Sequence, residues 1–314
     1  MATTRLAPSP TGALHLGNAR TFLVTWAMAR RRGWRIVLRI EDLDGPRVKP
    51  GAAEACIGTL RWLGLDWDEG PIVQSTDLAP YEHAMHRLAA AGLVYPSDVT
   101  RSRLTADDEG ASAPQEGAQE AAFPASLRPA LVPRAFDEPG RAWRFATPDE
   151  TVEFDDEIAG PQRRRPADTV GDFLVWTKRG QPAYQLAVVV DDARQGVTHV
   201  VRGDDLLDSA ARQMLLIGAL GLGRPPAYAH LPLVRGSDGK RLAKRHGDTR
   251  VETYRALGVA PERVVGLLAS WSGLASPRRE LSASEFMSGF DLATLPRKDV
   301  VFTAEDHAWL LDGR

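Results

Sequence analysis

One segment near the start of the chain carries residues that could bind a phosphate group. It reads RLAPSPTGALHLGNAR, from Arg5 to Arg20, and leads from a short apolar run through a turn rich in Pro, Ser and Gly. His15 precedes a predicted helix, and Gly12 and Gly17 let backbone approach a ligand. The first amides of a helix have no intrahelical acceptor and lie at its positive end, so anions bind there. We expect a phosphate chain at this turn, with the His15 ring as a donor.

The residues that follow predict the elements that hold this turn. Apolar residues recur at helical spacing from Ala19 to Ala27, and the run ends at Arg30-Arg31-Arg32-Gly33. A predicted strand, 34–40, comes next. Strand, glycine turn, helix and strand form a βαβ unit, which favours a parallel sheet with its ligand at the carboxyl ends of the strands. By residue type alone, His15 is equally compatible with a surface histidine at a helix terminus.

Five blocks, in order between residues 5 and 245, resemble the glutamyl group of class I aminoacyl-tRNA synthetases. The first block resembles the phosphate-binding "HIGH" segment of these enzymes. The others are VLRIEDLDGPR (37–47), PAYQLAVVVDD (182–192), VVRGDDLL (200–207) and KRLAKR (240–245), the last at the place of the mobile "KMSKS" loop. The resemblance implies an α/β fold, with a doubly wound parallel sheet of Rossmann type, an insertion and a small C-terminal helical domain.

The domain boundaries that we expect follow from this resemblance and from shifts in composition. Residues 1–94 would form the first half of the catalytic domain, 95–168 the insertion, 169–235 the second half, and 236–314 the KMSKS-like loop and a helical contact domain. Residues 101–150 are rich in Ala, Gly, Glu and Pro, which is typical of a loop-like insertion. Regular structure is expected to resume at 169.

Pattern and composition predict further elements outside the first βαβ unit. The apolar, β-branched run 186–190 is typical of a buried parallel strand, and 198–202 also reads as a strand. Helical spacing predicts helices over 52–63, 80–91, 209–220, 251–257, 261–271 and 282–287.

Within the family, the chain most resembles the shortened glutamyl-queuosine tRNA(Asp) synthetases. Glutamyl-tRNA synthetases continue past the KMSKS-like loop into a large domain that reads the anticodon, whereas only residues 245–314 follow here. The sequence YQLAVVVDDA, from Tyr184 to Ala193, also resembles the shortened enzymes more than the glutamyl-tRNA synthetases. The resemblance implies that L-glutamate is activated with ATP and attached to queuosine, the modified wobble base of tRNA(Asp).

The resemblance also implies which residues bind the substrates. The expected L-glutamate ligands are Arg5, Leu6, Ala7, Pro8, Ser9, Glu41, Tyr184 and Arg202. The expected ATP ligands are Pro8, His15, Gly17, Asn18 and Lys244. The KMSKS-like loop comprises Arg241, Leu242, Ala243, Lys244 and Arg245, in which Ala243 and Arg245 replace two serines of the family.

The residue types suit these roles. Guanidinium forks match carboxylates, so Arg5 and Arg202 would grip the two carboxylates of glutamate, and Glu41 would hold its ammonium group. His15 and Lys244, the expected catalytic residues, would stabilise negative charge on the α-phosphorus. Taken singly, each strand-end charge is equally compatible with a surface salt bridge, and Lys244 with one cation among several.

A zinc site of the family is expected to be missing. Many relatives carry a zinc-binding stretch that begins Tyr-x-Cys-x-Cys-Thr, but here it reads Tyr95-Pro96-Ser97-Asp98-Val99-Thr100. Serine and valine supply no thiolate. We therefore expect no structural zinc and an insertion that depends on packing alone; the expected cofactor is ATP as substrate, with Mg²⁺.

Composition agrees with a cytoplasmic enzyme that acts on RNA through local patches. The 314 residues are 43% hydrophobic and 25% charged, with a net charge of −2 and one cysteine, Cys56. No apolar stretch approaches the ~20 residues of a membrane span, and the chain begins in a predicted strand without a leader, so we expect no membrane partner. The basic runs 163–165 and 278–279 could contact tRNA, although such runs are more often solvated faces.

Three other functions stay open at the level of sequence. The chain could be a truncated glutamyl-tRNA synthetase that charges a tRNA 3′ end, a non-catalytic RNA-binding paralogue, or a small-molecule adenylyltransferase. Intact His15, Glu41 and Lys244 argue against loss of activity. An adenylyltransferase would have no use for Arg5, Glu41 and Tyr184 together.

Overall fold

A computed structural model describes residues 1–99, 122–239, 242, 249–274 and 276–312 of the protein. The chain divides into two units. Unit 1 comprises Met1–Gln74, Val197–Asp204 and Ala229–Arg314, and unit 2 comprises Ser75–Gly196 and Asp205–Tyr228. Each unit is therefore assembled from separate stretches of sequence.

The regular elements of the described residues are named in chain order. The strands are β1 Thr3–Leu6, β2 Arg35–Ile40, β3 Glu69–Val73, β4 Val94–Ser97, β5 Ala142–Phe145, β6 Val152–Asp156, β7 Gly160–Arg164, β8 Phe173–Trp176, β9 His199–Gly203, β10 Ala227–Leu231, β11 Val234–Arg235 and β12 Val300–Val301. The helices are α1 Leu16–Arg32, α2 Ala52–Trp62, α3 Ala79–Ala90, α4 Pro166–Thr169, α5 Tyr184–Arg194, α6 Leu207–Leu220, α7 Val251–Ala256, α8 Pro261–Trp271, α9 Ala283–Gly289 and α10 Ala304–Leu311.

Unit 1 is built on parallel strands. β1 pairs with β2 and β2 with β3, all parallel. On the other side of β1 runs β9, whose entry residue Thr198 donates its N–H to the carbonyl of Thr3 (2.9 Å), and β10 lies beside β9. The order β3-β2-β1-β9-β10 is that of a Rossmann-type sheet, which confirms the predicted α/β class.

The first βαβ unit follows the sequence prediction closely. α1 connects β1 to β2 and ends where Gly33 adopts the left-handed conformation (φ 65°), which favours glycine. Leu23 and Ala27 of α1, and Leu6 and Leu38 of the two strands, are completely buried. Burial of each leucine contributes roughly 1.5–3 kcal/mol, so this interface holds the turn before α1 in place.

The C-terminal part of unit 1 is helical, as predicted for 251–257, 261–271 and 282–287. α8 packs closely against the chain at Arg279, because a Cβ at Gly266 would lie 2.1 Å from the Arg279 carbonyl oxygen. Only glycine fits such an approach. α9 begins with a capping box formed by Ser282 and Glu285.

Unit 2 contains the antiparallel sheet β4-β5-β8 and the β6–β7 hairpin, with Tyr228 of β10 beside Asp156 of β6. Its helices include α3, α5 and α6. The Tyr81 hydroxyl of α3 donates to the buried Asp191 carboxylate of α5 (2.8 Å). A buried hydrogen bond thus joins these two helices.

A buried carboxylate organises the β4-β5-β8 sheet. Asp172 is completely buried and accepts hydrogen bonds from the Tyr95 hydroxyl (2.6 Å), the Arg128 Nε (2.7 Å) and the Thr147 amide (2.9 Å). Burial, together with Asp172, raises the pKa of Tyr95 above its usual range. The expectation that the insertion depends on packing alone is therefore wrong, since a satisfied polar cluster also holds it.

Two predictions for unit 2 are corrected by the structure. The run 186–190 is not a strand but the middle of α5, in which the residues from Gln185 to Asp192 are all buried. A short apolar run fits a helix buried on all sides as well as a strand. Regular structure also resumes before 169, because β5, β6 and β7 lie within 142–164. The composition of residues 101–150 predicts a loop and gives no weight to Trp143 and Phe145, whose side chains are buried in the structure.

In the described part of the chain, no helix has the length and apolar character required to cross a bilayer.

Candidate active site

The predicted substrate residues of unit 1 gather at one edge of the sheet. β2 lies on one side of β1 and β9 on the other, so the chain reverses its direction of winding at β1. Such a switch point leaves a crevice at the carboxyl ends of the strands, where α/β proteins bind ligands. Arg5 on β1 and Arg202 on β9 flank that point.

Both arginines are almost completely buried, and the structure orients each of them. Arg5 and Arg202 are each 5% exposed. The Arg5 Nη1 donates to the carbonyl of Val201 (3.3 Å), the residue before Arg202. The Arg202 Nε donates to Nε2 of His230 on β10 (3.0 Å). The two guanidinium groups therefore belong to neighbouring strands, and buried cations of this kind suit an anionic ligand.

Glu41 follows directly after β2 and is held by a buried arginine. Its carboxylate accepts from Nη2 (2.9 Å) and Nε (3.2 Å) of Arg39, whose side chain is completely buried. The Glu41 amide donates to the Pro8 carbonyl (3.0 Å), which joins the ends of β1 and β2. The carboxylate thus has a fixed position, as an ammonium ligand requires.

The turn between β1 and α1 carries the remaining glutamate candidates. Leu6 and Pro8 are buried, whereas Ala7 and Ser9 are partly exposed. After them, the Pro10 carbonyl accepts from the Lys49 amide (3.3 Å). The turn is therefore anchored to the segment that follows β2.

His15 lies at the N-cap position of α1 with extended backbone, and its side chain does not cap the helix. Instead, its Nδ1 is 3.0 Å from the Thr249 hydroxyl. The first amide of α1, that of Leu16, donates to the Thr249 carbonyl (3.0 Å). Gly17 and Asn18 continue the first helical turn, whose amides have no acceptor within the helix and suit a phosphate.

The described structure leaves space for a side chain at Gly17. A Cβ there would meet only the Val234 side chain, at 3.5 Å, an ordinary contact distance. At Gly12, such a Cβ would have no atom of the described residues within 4 Å. The described residues therefore leave room for a side chain at both positions, and the glycines are compatible with close approach of a ligand.

Arg20, the last residue of the first block, connects α1 to β11 and α8. It is 1% exposed, and it donates to the Pro232 carbonyl (2.6 Å) and to the Ser272 hydroxyl (3.3 Å). Burial lowers the pKa of Arg20 to about 10, while the negative charges of Asp299 and Asp204 act in the opposite direction. The side chain fixes the β10–β11 connection against α1.

Tyr184 and most of the KMSKS-like loop lie outside the described part of unit 1. Tyr184 is the first residue of α5 and belongs to unit 2, so its role stays a prediction. Arg241, Ala243, Lys244 and Arg245 lie outside the described residues. Leu242 is buried, and its amide donates to the Val234 carbonyl (3.2 Å).

Three residues next to the predicted site were not identified from sequence. Arg39 could have been found, since it lies on β2 only two residues before Glu41, within reach of that carboxylate. His230 and Thr249 carry no local signal, because each meets its partner only after folding.

The basic runs carry less free charge than their sequence implies. Arg163 pairs with Glu153 (3.1 Å), Arg164 with Asp208 (2.8 Å) and Arg165 with Asp149. Arg278 likewise pairs with Asp306. The structure therefore favours solvated, ion-paired faces over open RNA-binding patches at these positions.

Comparison with known proteins identifies the family. A family described as "tRNA synthetases class I (E and Q), catalytic domain" matches residues 1–307. The chain is 51% identical to the "Glutamyl-Q tRNA(Asp) synthetase" of Symbiobacterium thermophilum, with 98% of each chain covered. It is 47% identical to the protein of the same name from Rhodopirellula baltica, over 90% of this chain and 88% of that one.

A solved structure gives the same result at the level of the fold. The glutamate tRNA ligase from Elizabethkingia meningosepticum, solved in complex with its amino acid, superposes with a TM-score of 0.78 and 29% identity, over 98% of this chain and 68% of that one. These similarities confirm the resemblance drawn from the five sequence blocks. The chain belongs to the class I aminoacyl-tRNA synthetases, in the group of the glutamyl and glutaminyl enzymes.

Proposed function

We propose that this protein activates L-glutamate with ATP and transfers the glutamyl group to queuosine in the anticodon of tRNA(Asp). The observation that carries the proposal is the pair of buried arginines, Arg5 and Arg202, at the switch point of a Rossmann-type sheet beside the His15 turn. The curated relatives at 51% and 47% identity bear the name of this activity.

Glutamate would bind through charge complementarity. In this proposal Arg5 and Arg202 grip its carboxylates, Glu41 holds its ammonium group, and Ser9 and Tyr184 add hydroxyl donors, with Leu6, Ala7 and Pro8 shaping the wall. Glutamine offers a neutral amide in place of a carboxylate and leaves a buried cation underpaired. That loss costs roughly 2–5 kcal/mol, which is enough for discrimination.

Activation would proceed at the N-terminus of α1. A glutamate α-carboxylate oxygen attacks the α-phosphorus of ATP, the bond to the bridging oxygen breaks, and pyrophosphate leaves. The His15 ring and the amides of Gly17 and Asn18 would stabilise the added negative charge from one side and Lys244 from the other. Pro8 would contact the nucleotide.

Transfer would then need little more than proximity. A hydroxyl of the queuosine cyclopentenediol attacks the carbonyl carbon of glutamyl-adenylate, AMP leaves, and the hydroxyl proton is released. Positioning of the two reactants can contribute up to ~7–11 kcal/mol.

Mg²⁺ enters this proposal with the nucleotide. The ion binds ATP through phosphate oxygens and water, and we propose the magnesium complex as the substrate. Among the described residues, no group of three or more His, Cys, Asp or Glu side chains could hold a metal ion. ATP and tRNA are both available in the cytoplasm, where we place the enzyme. The absence of a structural zinc stays a prediction.

The first test is pyrophosphate exchange into ATP without tRNA. Exchange that depends on glutamate is expected, and replacement of glutamate by glutamine should lower the exchange rate at least about 30-fold, the effect of the penalty above. No exchange would favour a non-catalytic RNA-binding protein, and exchange without any amino acid requirement would contradict the glutamate site.

The second test locates the product. The enzyme is incubated with ATP, labelled glutamate and tRNA from cells that make queuosine or lack it, and the tRNA is then cleaved. Label on the anticodon fragment, and only when queuosine is present, is the expected result. Label on the 3′ fragment would instead show a truncated glutamyl-tRNA synthetase.

A further inference from the structure

The segment after the KMSKS-like loop is joined to the His15 turn by backbone hydrogen bonds. The Leu16 amide donates to the Thr249 carbonyl (3.0 Å), and the Val251 amide donates to the Leu14 carbonyl (2.9 Å). Between them, His15 and Arg250 form an antiparallel bridge. These bonds bring Thr249 beside His15 whatever side chain it carries.

The Thr249 side chain adds a contact that the backbone does not require. Its hydroxyl is 3.0 Å from the His15 Nδ1, and Thr249 is 1% exposed while His15 is partly exposed. A buried hydroxyl can replace water as the partner of Nδ1. The ring is thus held from its buried side.

This contact bears on which ring nitrogen donates, because the hydroxyl can either donate to Nδ1 or accept from it. A neutral imidazole has one N–H and one acceptor nitrogen, so a proton on Nε2 requires a donor for Nδ1. The Thr249 hydroxyl can supply that donor. If the ring is protonated, Nδ1–H donates to the hydroxyl oxygen instead. In both of these states Nε2 carries a proton and can donate to a phosphate oxygen. In the remaining state, with Nδ1–H donating to the hydroxyl, Nε2 has only a lone pair, which a phosphate oxygen disfavours.

We infer that Thr249 is a positioning residue, which fixes the ring orientation and the Nε2–H tautomer of His15 for nucleotide activation. The inference rests on the proposed function for the role of His15 in catalysis, but the tautomer itself does not depend on that role. Thr249 itself would touch neither nucleotide nor glutamate.

The decisive experiment is a double-mutant cycle in pyrophosphate exchange. Thr249→Val keeps the shape and the backbone bonds but removes the hydroxyl, and kcat is expected to fall about tenfold with the KM for glutamate unchanged within twofold. Thr249→Ser should restore most of the loss. In the His15→Ala background, Thr249→Val should change kcat less than twofold, because the hydroxyl then has no ring to orient.

A matched control replaces another buried threonine. Thr25 lies in α1, and its hydroxyl donates to the Thr21 carbonyl of the same helix (2.7 Å). Thr25→Val makes the same chemical change and should leave kcat unaltered. An equal fall for Thr249→Val with and without His15, or a Thr249→Ser variant as slow as the valine variant, would overturn the inference.

A spectroscopic measurement separates this inference from the proposed function. The ¹⁵N shifts of the His15 ring, assigned by comparison with His15→Ala, should show the Nε2–H tautomer at pH 8 in the unaltered protein and a mixture in Thr249→Val. A His15 ring with its proton on Nδ1, or a tautomer unaffected by the valine, would refute the role of Thr249 even if no exchange activity were found.

Discussion

At the scale of single residues, the candidate site depends on buried cations with defined partners. Arg5, Arg39 and Arg202 are each at most 5% exposed, although burial of a charge is costly unless partners compensate. Arg39 donates to the Glu41 carboxylate, and the Nε of Arg202 donates to Nε2 of His230. The His230 ring nitrogen thus fixes the orientation of the Arg202 guanidinium.

His230 therefore permits a prediction about glutamate binding. His230→Leu removes the acceptor for the Arg202 Nε, so the guanidinium loses orientation, and the KM for glutamate should rise about tenfold with the KM for ATP unchanged. His230→Gln, whose amide oxygen can accept, should show a smaller rise. The measurement is the separate determination of kcat and of the KM values for glutamate and ATP in pyrophosphate exchange.

The control for this prediction is His83→Leu, at an exposed position in α3 of unit 2. It should behave as the unaltered enzyme. A leucine at 230 that left the glutamate KM unchanged would show that His230 does not position Arg202.

At the scale of elements, the N-terminus of α1 is the proposed phosphate-binding feature, and the local sequence predicts this helix well. The helix begins and ends within one residue of the expected bounds. The run 186–190 shows where prediction from local sequence fails. A helix that is buried on all sides has no polar face, so its sequence does not show the helical period of 3.6 residues. Its neighbours in unit 2, not its own residues, decide that it is a helix.

Gly17→Ala tests whether glycine at this position serves the stability of α1 or the binding of ATP. The added methyl group meets Val234 at an ordinary distance, and alanine favours a helix over glycine by up to about 1 kcal/mol, so the melting temperature should stay the same or rise. If a phosphate approaches this backbone, the KM for ATP should rise at least about fivefold, measured in the exchange assay.

Gly218→Ala provides the comparison in α6, where an added Cβ would have no atom within 4 Å. It should change the melting temperature in the same direction and leave the KM for ATP as it is. An unaltered ATP KM in Gly17→Ala would place the phosphate chain elsewhere.

At the scale of the whole molecule, unit 1 contains the described residues of the predicted nucleotide and glutamate site, apart from Tyr184. Its sheet collects residues from the start, the middle and the second half of the chain. Unit 2 has its own buried polar cluster around Asp172. Basic runs on its surface are balanced by carboxylates, which agrees with a net charge of only −2.

Cys56 offers a probe of the folded state of unit 1. Its thiol in α2 is 1% exposed, and burial, with a contribution from the negative charge of Glu252, raises its pKa to about 12. The thiolate is therefore scarce at pH 8, and reaction with a disulfide reagent should be at least about 100-fold slower in the native protein than in urea. The rate should rise with pH toward that pKa.

The absorbance of the released thiol reagent measures this rate, and Cys56→Ser gives the blank. Rapid reaction of the native protein at pH 8 would mean that α2 opens readily, contrary to the buried position described for it.

The sequence by itself determined what depends on neighbouring residues. Turn residues, helical spacing and strand composition predicted the phosphate-binding turn, α1, β2 and most C-terminal helices, and the positions of Arg5, Glu41 and Arg202 at strand ends followed from them. Local preferences and the order of the elements suffice for this much.

Only the tertiary structure decided which side chains hold those residues in place. Thr249 reaches His15 across 234 positions of sequence, and His230 reaches Arg202 across 28. Such pairs form when packing of the sheet and helices brings distant segments within hydrogen-bond distance, and no local pattern records that approach. The same packing turned an apolar, β-branched run into the buried helix α5, because burial on all sides overrides the local preference for a strand.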